Sequence, residues 1–171
     1  MLVRQDSLTS LPNRRHAMEL LATEEQRALR QQVAPCLCML DIYHFNCIND
    51  TYYHAAGDDV LRLFVMNANA ALRSIDALTR WGGEEFLLVM AHTSMDEAMQ
   101  VIDRVRRQLA QPGIWQERPE LQVTFSASIA AHHSGETMMQ TVARADEALY
   151  AAKLRGRNCT VVALQDGGDY E

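Results

Sequence analysis

The hydrophobic and polar positions of this chain repeat with two periods, and together they predict an alternation of helices and strands. Apolar residues spaced three or four apart predict helices over 14–32, 60–73, 95–109 and 137–154. Short apolar or alternating runs predict strands over 36–42, 78–81, 86–90, 121–131 and 159–164. This order favours an α+β fold, in which helices pack on one mostly antiparallel sheet.

Local signals mark several of the element ends. Pro35 separates the first helix from the first strand, and Gly82-Gly83 predicts a hairpin turn. Ser94 is suited to cap the helix that follows it, because a side-chain oxygen there can accept from a free backbone N–H. Gly156 stands where a left-handed residue would end the last helix.

Composition limits the classes of protein that this chain can be. Its 171 residues suit one domain, and the net charge of −6 argues against general affinity for nucleic acid or anionic membrane, although a local basic pocket stays open. With no signal peptide and no apolar run of about 18 residues, a soluble cytoplasmic domain is expected. The four cysteines, including Cys36 and Cys38 in an apolar run, are interpreted as free thiols rather than a zinc site.

The strongest chemical signal is the segment from Arg80 to Phe86, RWGGEEF. Two glycines allow a phosphate to approach a turn closely, and the two acids that follow can hold a hard cation such as Mg²⁺. Glu84 and Glu85 should point to opposite faces of a strand. A solvated turn is the alternative interpretation.

Asp41 is the second signal, because it lies at the end of an apolar strand, where an unpaired carboxylate is costly to bury. Beside the Glu84 hairpin it would complete a two-carboxylate metal site. The alternative is that Asp41 caps the following helix.

Five segments in order resemble the signatures of the GGDEF family of diguanylate cyclases. They are residues 6–15, 41–50, 54–61, 80–86 and 145–158, and the stretch from the first to the last spans about 155 residues. The resemblance implies a ferredoxin-like α/β sandwich over residues 1–164, followed by a polar tail over 165–171. Because a family signature begins almost at Met1, the chain is expected to be a piece of a longer protein.

Enzymes of this family join two GTP molecules into cyclic di-GMP, with one GTP held by each domain of a dimer and Mg²⁺ or Mn²⁺ assisting. The resemblance implies that Asp41, the Ile42 carbonyl and Glu84 are metal ligands, and that Glu84 or Glu85 is the general base. It also implies substrate contacts, with guanine readers, a pocket residue and phosphate ligands at Asn49, Asp58, His54, Lys153 and Arg157. Lys153 and Arg157 are expected on one helical face, with a solvated helix end as the alternative.

Arg73 and Asp76 form an R-x-x-D pattern nine residues before Gly82. This resembles the family's inhibitory site, where bound cyclic di-GMP holds the domains in an unproductive arrangement. An ordinary surface ion pair is the alternative.

Four departures from the family pattern fall within eleven residues. Tyr43 stands in place of Asp, Asn46 in place of Lys and Tyr53 in place of Gly, and Cys47 is also unusual. A ring at position 43 removes a negative charge beside the metals, and Asn46 removes a cation that would stabilise phosphate charge. Tyr53 is expected to strain the backbone if φ must be positive there. Such clustering indicates selection for another role or deliberate redesign of the pocket.

Three functions are therefore carried forward. The first is a diguanylate cyclase with impaired or abolished turnover, and the second is a non-catalytic cyclic di-GMP binder acting through Arg73 and Asp76. The third is an esterase-like pocket in which Cys47 is a nucleophile beside His44, three residues away on a predicted helix face. The plain alternative is that Cys47 is a small residue at a variable position.

Overall fold

A computed structural model describes residues 3–46, 53–117 and 121–165, apart from the side chains of 44–46, 53–56 and 122. The predicted order of elements is confirmed. The four helices are α1 (Arg14–Gln31), α2 (Tyr53–Ala71), α3 (Met95–Leu109) and α4 (Met138–Leu154). The five strands are β1 (Cys36–Asn46), β2 (Asp76–Arg80), β3 (Glu85–Met90), β4 (Leu121–Ala131) and β5 (Thr160–Val162).

The five strands form one sheet in the order β2-β3-β1-β4-β5. The pairs β2–β3, β3–β1 and β1–β4 are antiparallel, and only β5 joins parallel to β4. The α+β fold class and the mostly antiparallel sheet are thus confirmed.

Strand β1 lies at the centre of this sheet and is covered by helices on both faces. On one face, Cys38 and Leu40 join a core with Phe64 of α2 and Ile102 of α3. On the other face, Leu37 and Met39 pack with residues of α1 and α4. Burial on both faces explains why residues 36–42 read as a continuous apolar run rather than an alternating one.

Two predicted boundaries differ from the structure by more than two residues. β1 continues to Asn46 instead of ending at Ile42, because the long strand β4 pairs with it as far as Asn46 opposite Leu121. Helix α2 begins at Tyr53 rather than at residue 60, since the first residues of the helix (YHAAGDD) give no clear apolar period. Tyr53 therefore lies in a helix and not in a left-handed turn.

The predicted Ser94 cap is confirmed, because its side chain accepts a hydrogen bond from the Glu97 amide. Thr137, for which no cap was predicted, forms a reciprocal capping box with Gln140. Within the three described ranges, no helix is both long and apolar enough to cross a membrane.

The three cysteines that the structure describes are free thiols, and Cys36 and Cys38 are buried, as predicted. Burial raises the pKa of Cys36 to about 11, and it also raises the pKa of Cys38. Neither thiol is therefore activated as a nucleophile.

Candidate functional site

The two acidic segments predicted to form one site lie side by side. Asp41 is opposite Glu85 in the β1–β3 ladder, and the Ile42 amide donates to the Glu84 carbonyl at 3.1 Å. Asp41 lies within β1 and not at its end, so the alternative in which it caps a helix is wrong. Glu84 belongs to the turn, and β3 begins at Glu85.

Arg80 stabilises the turn between β2 and β3 by bonding both to the turn and to Asp6. Arg80 donates to the Gly83 carbonyl through Nη2 at 2.8 Å, and its Nη1 donates to both carboxylate oxygens of Asp6 at 2.9 Å. Burial raises the pKa of Asp6, but hydrogen bonds from Thr9 and Arg80 outweigh it, so the pKa lies below its usual value. Among the described residues, no heavy atom lies within 4 Å of the position that a Cβ of residue 83 would take, so they leave the space beside Gly83 open.

Lys153 of α4 reaches across to this acidic pair. Its Nζ lies 2.5 Å from Asp41 Oδ2 and 3.6 Å from Glu85 Oε1. The Asp41 side chain is 13% exposed, so the ion pair is shielded from most of the solvent. The lysine predicted to bind phosphate therefore pairs with the carboxylate predicted to bind metal.

Arg157 reaches the same place, but not from the helix face that was predicted. Helix α4 ends at Leu154, and Gly156 has φ +103°. The Gly156 amide donates a hydrogen bond to the Lys153 carbonyl, and the Arg157 amide donates one to the Ala152 carbonyl. These two hydrogen bonds are the pattern of a Schellman motif. The chain turns back there, and this turn brings Arg157 to the site.

The guanidinium of Arg157 lies over the ring of Tyr43, 4.7 Å from the ring centroid. Tyr43 is two residues beyond Asp41 on β1, so both side chains lie on the same face of the sheet. A cation held on an aromatic face is stabilised without any negative charge. Tyr43 thus fills the place between the acidic pair and the basic loop.

The Arg73–Asp76 motif forms a closed network at the far end of the hairpin. The Arg73 guanidinium donates to both Asp76 oxygens, at 3.1 Å and 2.8 Å, and to Thr93 Oγ1 at 2.8 Å. The Asp76 side chain is fully buried, so an ordinary surface pair is the wrong description. Hydrogen bonding to Asp76 raises the pKa of Arg73.

The family model for the GGDEF domain of diguanylate cyclases matches residues 3–159. The chain belongs to the GGDEF family. It is 39% identical over 158 residues to the diguanylate cyclase DgcP of Pseudomonas aeruginosa, a match that covers 92% of this chain and 24% of DgcP. The chain therefore spans about a quarter of that relative's length.

Two solved structures show the same GGDEF fold. The diguanylate cyclase SiaD of Pseudomonas aeruginosa, in complex with its activator SiaC, is 41% identical with a TM-score of 0.82, and the match covers 93% of this chain and 61% of SiaD. The GGDEF domain of DgcB from Caulobacter crescentus, in complex with c-di-GMP, is 26% identical with a TM-score of 0.81, covering 95% and 96% of the two chains.

Enzymes of the GGDEF family generally use Mg²⁺ or Mn²⁺, and the residues present fit one such ion better than two. Asp41, the Ile42 carbonyl and Glu84 supply two carboxylates and one carbonyl from adjacent backbone, which suits an ion completed by substrate phosphates. Tyr43 offers no carboxylate for a second ion. In the part of the chain that the structure describes, no three His, Cys, Asp or Glu side chains gather as a metal site.

The structure describes only some of the residues predicted to contact guanine. Asp58 is an exposed residue of α2, whereas Asn49 and the side chain of His54 lie outside the described residues. The side chains of Asn46 and Tyr53 also lie outside them, at the end of β1 and the start of α2.

The predicted helix face shared by His44 and Cys47 is wrong, because His44 belongs to strand β1. Cys47 itself lies outside the described residues.

Sequence reasoning missed two residues beside this site. Ser126 lies directly opposite Asp41 in β4, fully buried, and its hydroxyl finds no hydrogen-bond partner among the described residues. Arg106 of α3 binds the loop that carries Arg157. Neither residue has a sequence signal, since the partners of each are far away along the chain.

Proposed function

We propose that this domain binds GTP as a diguanylate cyclase domain and forms cyclic di-GMP far more slowly than an enzyme with a complete site. The observation that carries this proposal is the Tyr43 ring under Arg157, at a position where the family pattern has a carboxylate. Around it, Asp41, Glu85, Lys153 and Arg157 retain the charges that a polyphosphate site needs.

In the proposed reaction the 3′-hydroxyl of one GTP attacks the α-phosphate of the other and pyrophosphate leaves. A bound Mg²⁺ would activate the hydroxyl and neutralise developing charge. Glu84 or Glu85 accepts the hydroxyl proton. Lys153 exchanges Asp41 for phosphate when the nucleotide binds, and Arg157 holds the phosphates from the opposite side. Two GTP-loaded domains are needed, so the active unit would be a homodimer.

Slow turnover follows from the charges that are missing. Loss of one preorganised charged group that stabilises a transition state costs about 10²–10³ in rate. Tyr43 in place of Asp and Asn46 in place of Lys remove two such groups. Binding suffers less, because two of the cations that would contact the phosphates, Lys153 and Arg157, remain.

The test is production of cyclic di-GMP from GTP and Mg²⁺, measured by mass spectrometry, for the present chain and for Tyr43→Asp. A second variant combines Tyr43→Asp, Asn46→Lys and Tyr53→Gly. The matched control is Tyr150→Asp, because Tyr150 is 65% exposed on α4 and lies in none of the proposed contacts. We expect product from the triple variant at least 10²-fold above the present chain. Equal rates for the present chain and the triple variant would refute the proposal.

Binding of cyclic di-GMP through Arg73 and Asp76 is the second proposed function. The supporting observation is the preformed network at the hairpin end remote from the GG turn, where Asp76 pairs with Met90. The DgcB domain, to which the chain is similar, was solved in complex with c-di-GMP. Calorimetric titration with cyclic di-GMP should show binding that Arg73→Gln abolishes and Arg30→Gln leaves intact. Unchanged binding by Arg73→Gln would eliminate this site.

A further inference from the structure

Arg106 of α3 joins three separate segments of the fold next to the proposed nucleotide site. Its Nη1 donates to the Phe125 carbonyl at 2.6 Å and to Asn158 Oδ1 at 2.9 Å. Its Nη2 donates to Thr160 Oγ1 at 2.9 Å. The guanidinium also stacks on the Phe125 ring, 4.1 Å from the centroid.

The loop that Arg106 holds has an unusual backbone. Gly156, Arg157 and Asn158 have φ values of +103°, +66° and +49°, so three consecutive residues are left-handed. Glycine adopts this region freely and asparagine more readily than most residues, whereas for Arg157 it is unfavourable. Such a conformation persists only where surrounding contacts over-determine it.

Contacts fix this loop from both sides of Arg157. Before it, the helix end supplies the bonds from Gly156 and Arg157 to α4 carbonyls. After it, Arg106 holds Asn158 and Thr160 through their side chains. Arg157 itself extends away from the loop to lie over Tyr43.

We infer that Arg106 is a positioning residue for Arg157. By anchoring Asn158 and Thr160 to Phe125, it holds the left-handed loop in the conformation that aims the Arg157 guanidinium at the phosphates of a bound nucleotide. The nucleotide part rests on the proposed function. The loop part does not, since it concerns contacts within the chain.

The nucleotide part is tested by calorimetric binding of GTP and of guanosine, which lacks phosphates. The variants are Arg106→Gln, the conservative Arg106→Lys, Arg157→Gln and the double variant Arg106→Gln/Arg157→Gln. The matched control is Arg107→Gln, because Arg107 is exposed on the same helix and donates to the Asp103 carbonyl within α3.

Arg106→Gln should weaken the binding of GTP about tenfold, as expected for one displaced charged contact. The affinity for guanosine should stay unchanged. Arg106→Lys should recover part of that loss. The double variant should bind GTP no more weakly than Arg157→Gln, because Arg106 acts through Arg157. Multiplicative losses in the double variant, or an equal loss for guanosine, would overturn the inference.

A measurement without nucleotide separates this inference from the proposed function. Amide hydrogen exchange at Arg157, whose N–H bonds to the Ala152 carbonyl at 3.1 Å, should be faster in Arg106→Gln and unchanged in Arg107→Gln. If the present chain binds no GTP, the proposed function fails. The exchange comparison still shows whether Arg106 holds the loop in its conformation. Unchanged exchange at Arg157 in a folded Arg106→Gln variant would refute the positioning role.

Discussion

Glu136, in the connection between β4 and α4, should make the stability of this domain depend on pH. Its Oε1 accepts from the His133 amide at 2.9 Å and from the Thr141 hydroxyl at 2.8 Å. Arg144 donates to both of its carboxylate oxygens. Burial raises the pKa of Glu136, but the hydrogen bonds from Arg144, His133 and Thr141 outweigh it and lower the pKa from 4.5 to about 2.

The size and sign of the effect follow from linkage. A carboxylate with a lower pKa in the folded state than in the unfolded state stabilises the fold only while it is ionised. For a shift of this size the contribution is about 3 kcal/mol, and the side chain is 16% exposed, so solvent screening is small. It is fully present above pH 4.5 and is lost as the pH falls towards 2.

The assay is urea unfolding of the present chain and of Glu136→Gln at a series of pH values. We expect Glu136→Gln to be less stable by about 2–3 kcal/mol at pH 7, with the difference shrinking steadily below pH 4.5. Glu147→Gln, an exposed position on α4, serves as the control and should change little. The reasoning would be refuted if the difference in free energy of unfolding between Glu136→Gln and the present chain stayed constant from pH 7 to pH 2.5.

Three further predictions concern the core, the end of α4 and the buried thiols. Phe64→Ala should lower the free energy of unfolding by about 3–5 kcal/mol in urea titrations, because the ring is fully buried between Phe86 and Phe125. A loss below 1 kcal/mol would contradict that packing. Gly156→Ala should lower stability by about 1–2 kcal/mol in thermal melts, since φ +103° is unfavourable for a residue with a Cβ; an unchanged melt would show that the helix end relaxes freely. Iodoacetamide at pH 7.5 should label Cys36 and Cys38 much more slowly in the folded protein than in urea, as read by mass spectrometry, and equal rates would contradict their burial.

Much of the fold follows from local patterns in the chain. The bounds of α3 and β4 agree with those predicted, because α3 carries a clear apolar stripe and a cap, and β4 a run of strand-forming residues. The two motif segments also indicated that Asp41 and the Glu84 turn would meet, and they do, in adjacent strands. Periodicity indicates which side of an element is buried, and a motif indicates a local conformation. Both can therefore be interpreted without knowing which other elements pack nearby.

Other features depend on partners that are distant along the chain, and no local pattern carries them. β1 continues beyond the apolar run to Asn46 because β4 pairs with it there. Lys153 reaches Asp41 because α4 packs on the sheet, and Arg157 reaches Tyr43 because the left-handed turn at Gly156 folds the chain back. Arg106 anchors that turn across 52 residues of sequence separation. These contacts form only when α3, α4 and the sheet have packed together, and that packing, rather than the properties of any one segment, sets their geometry.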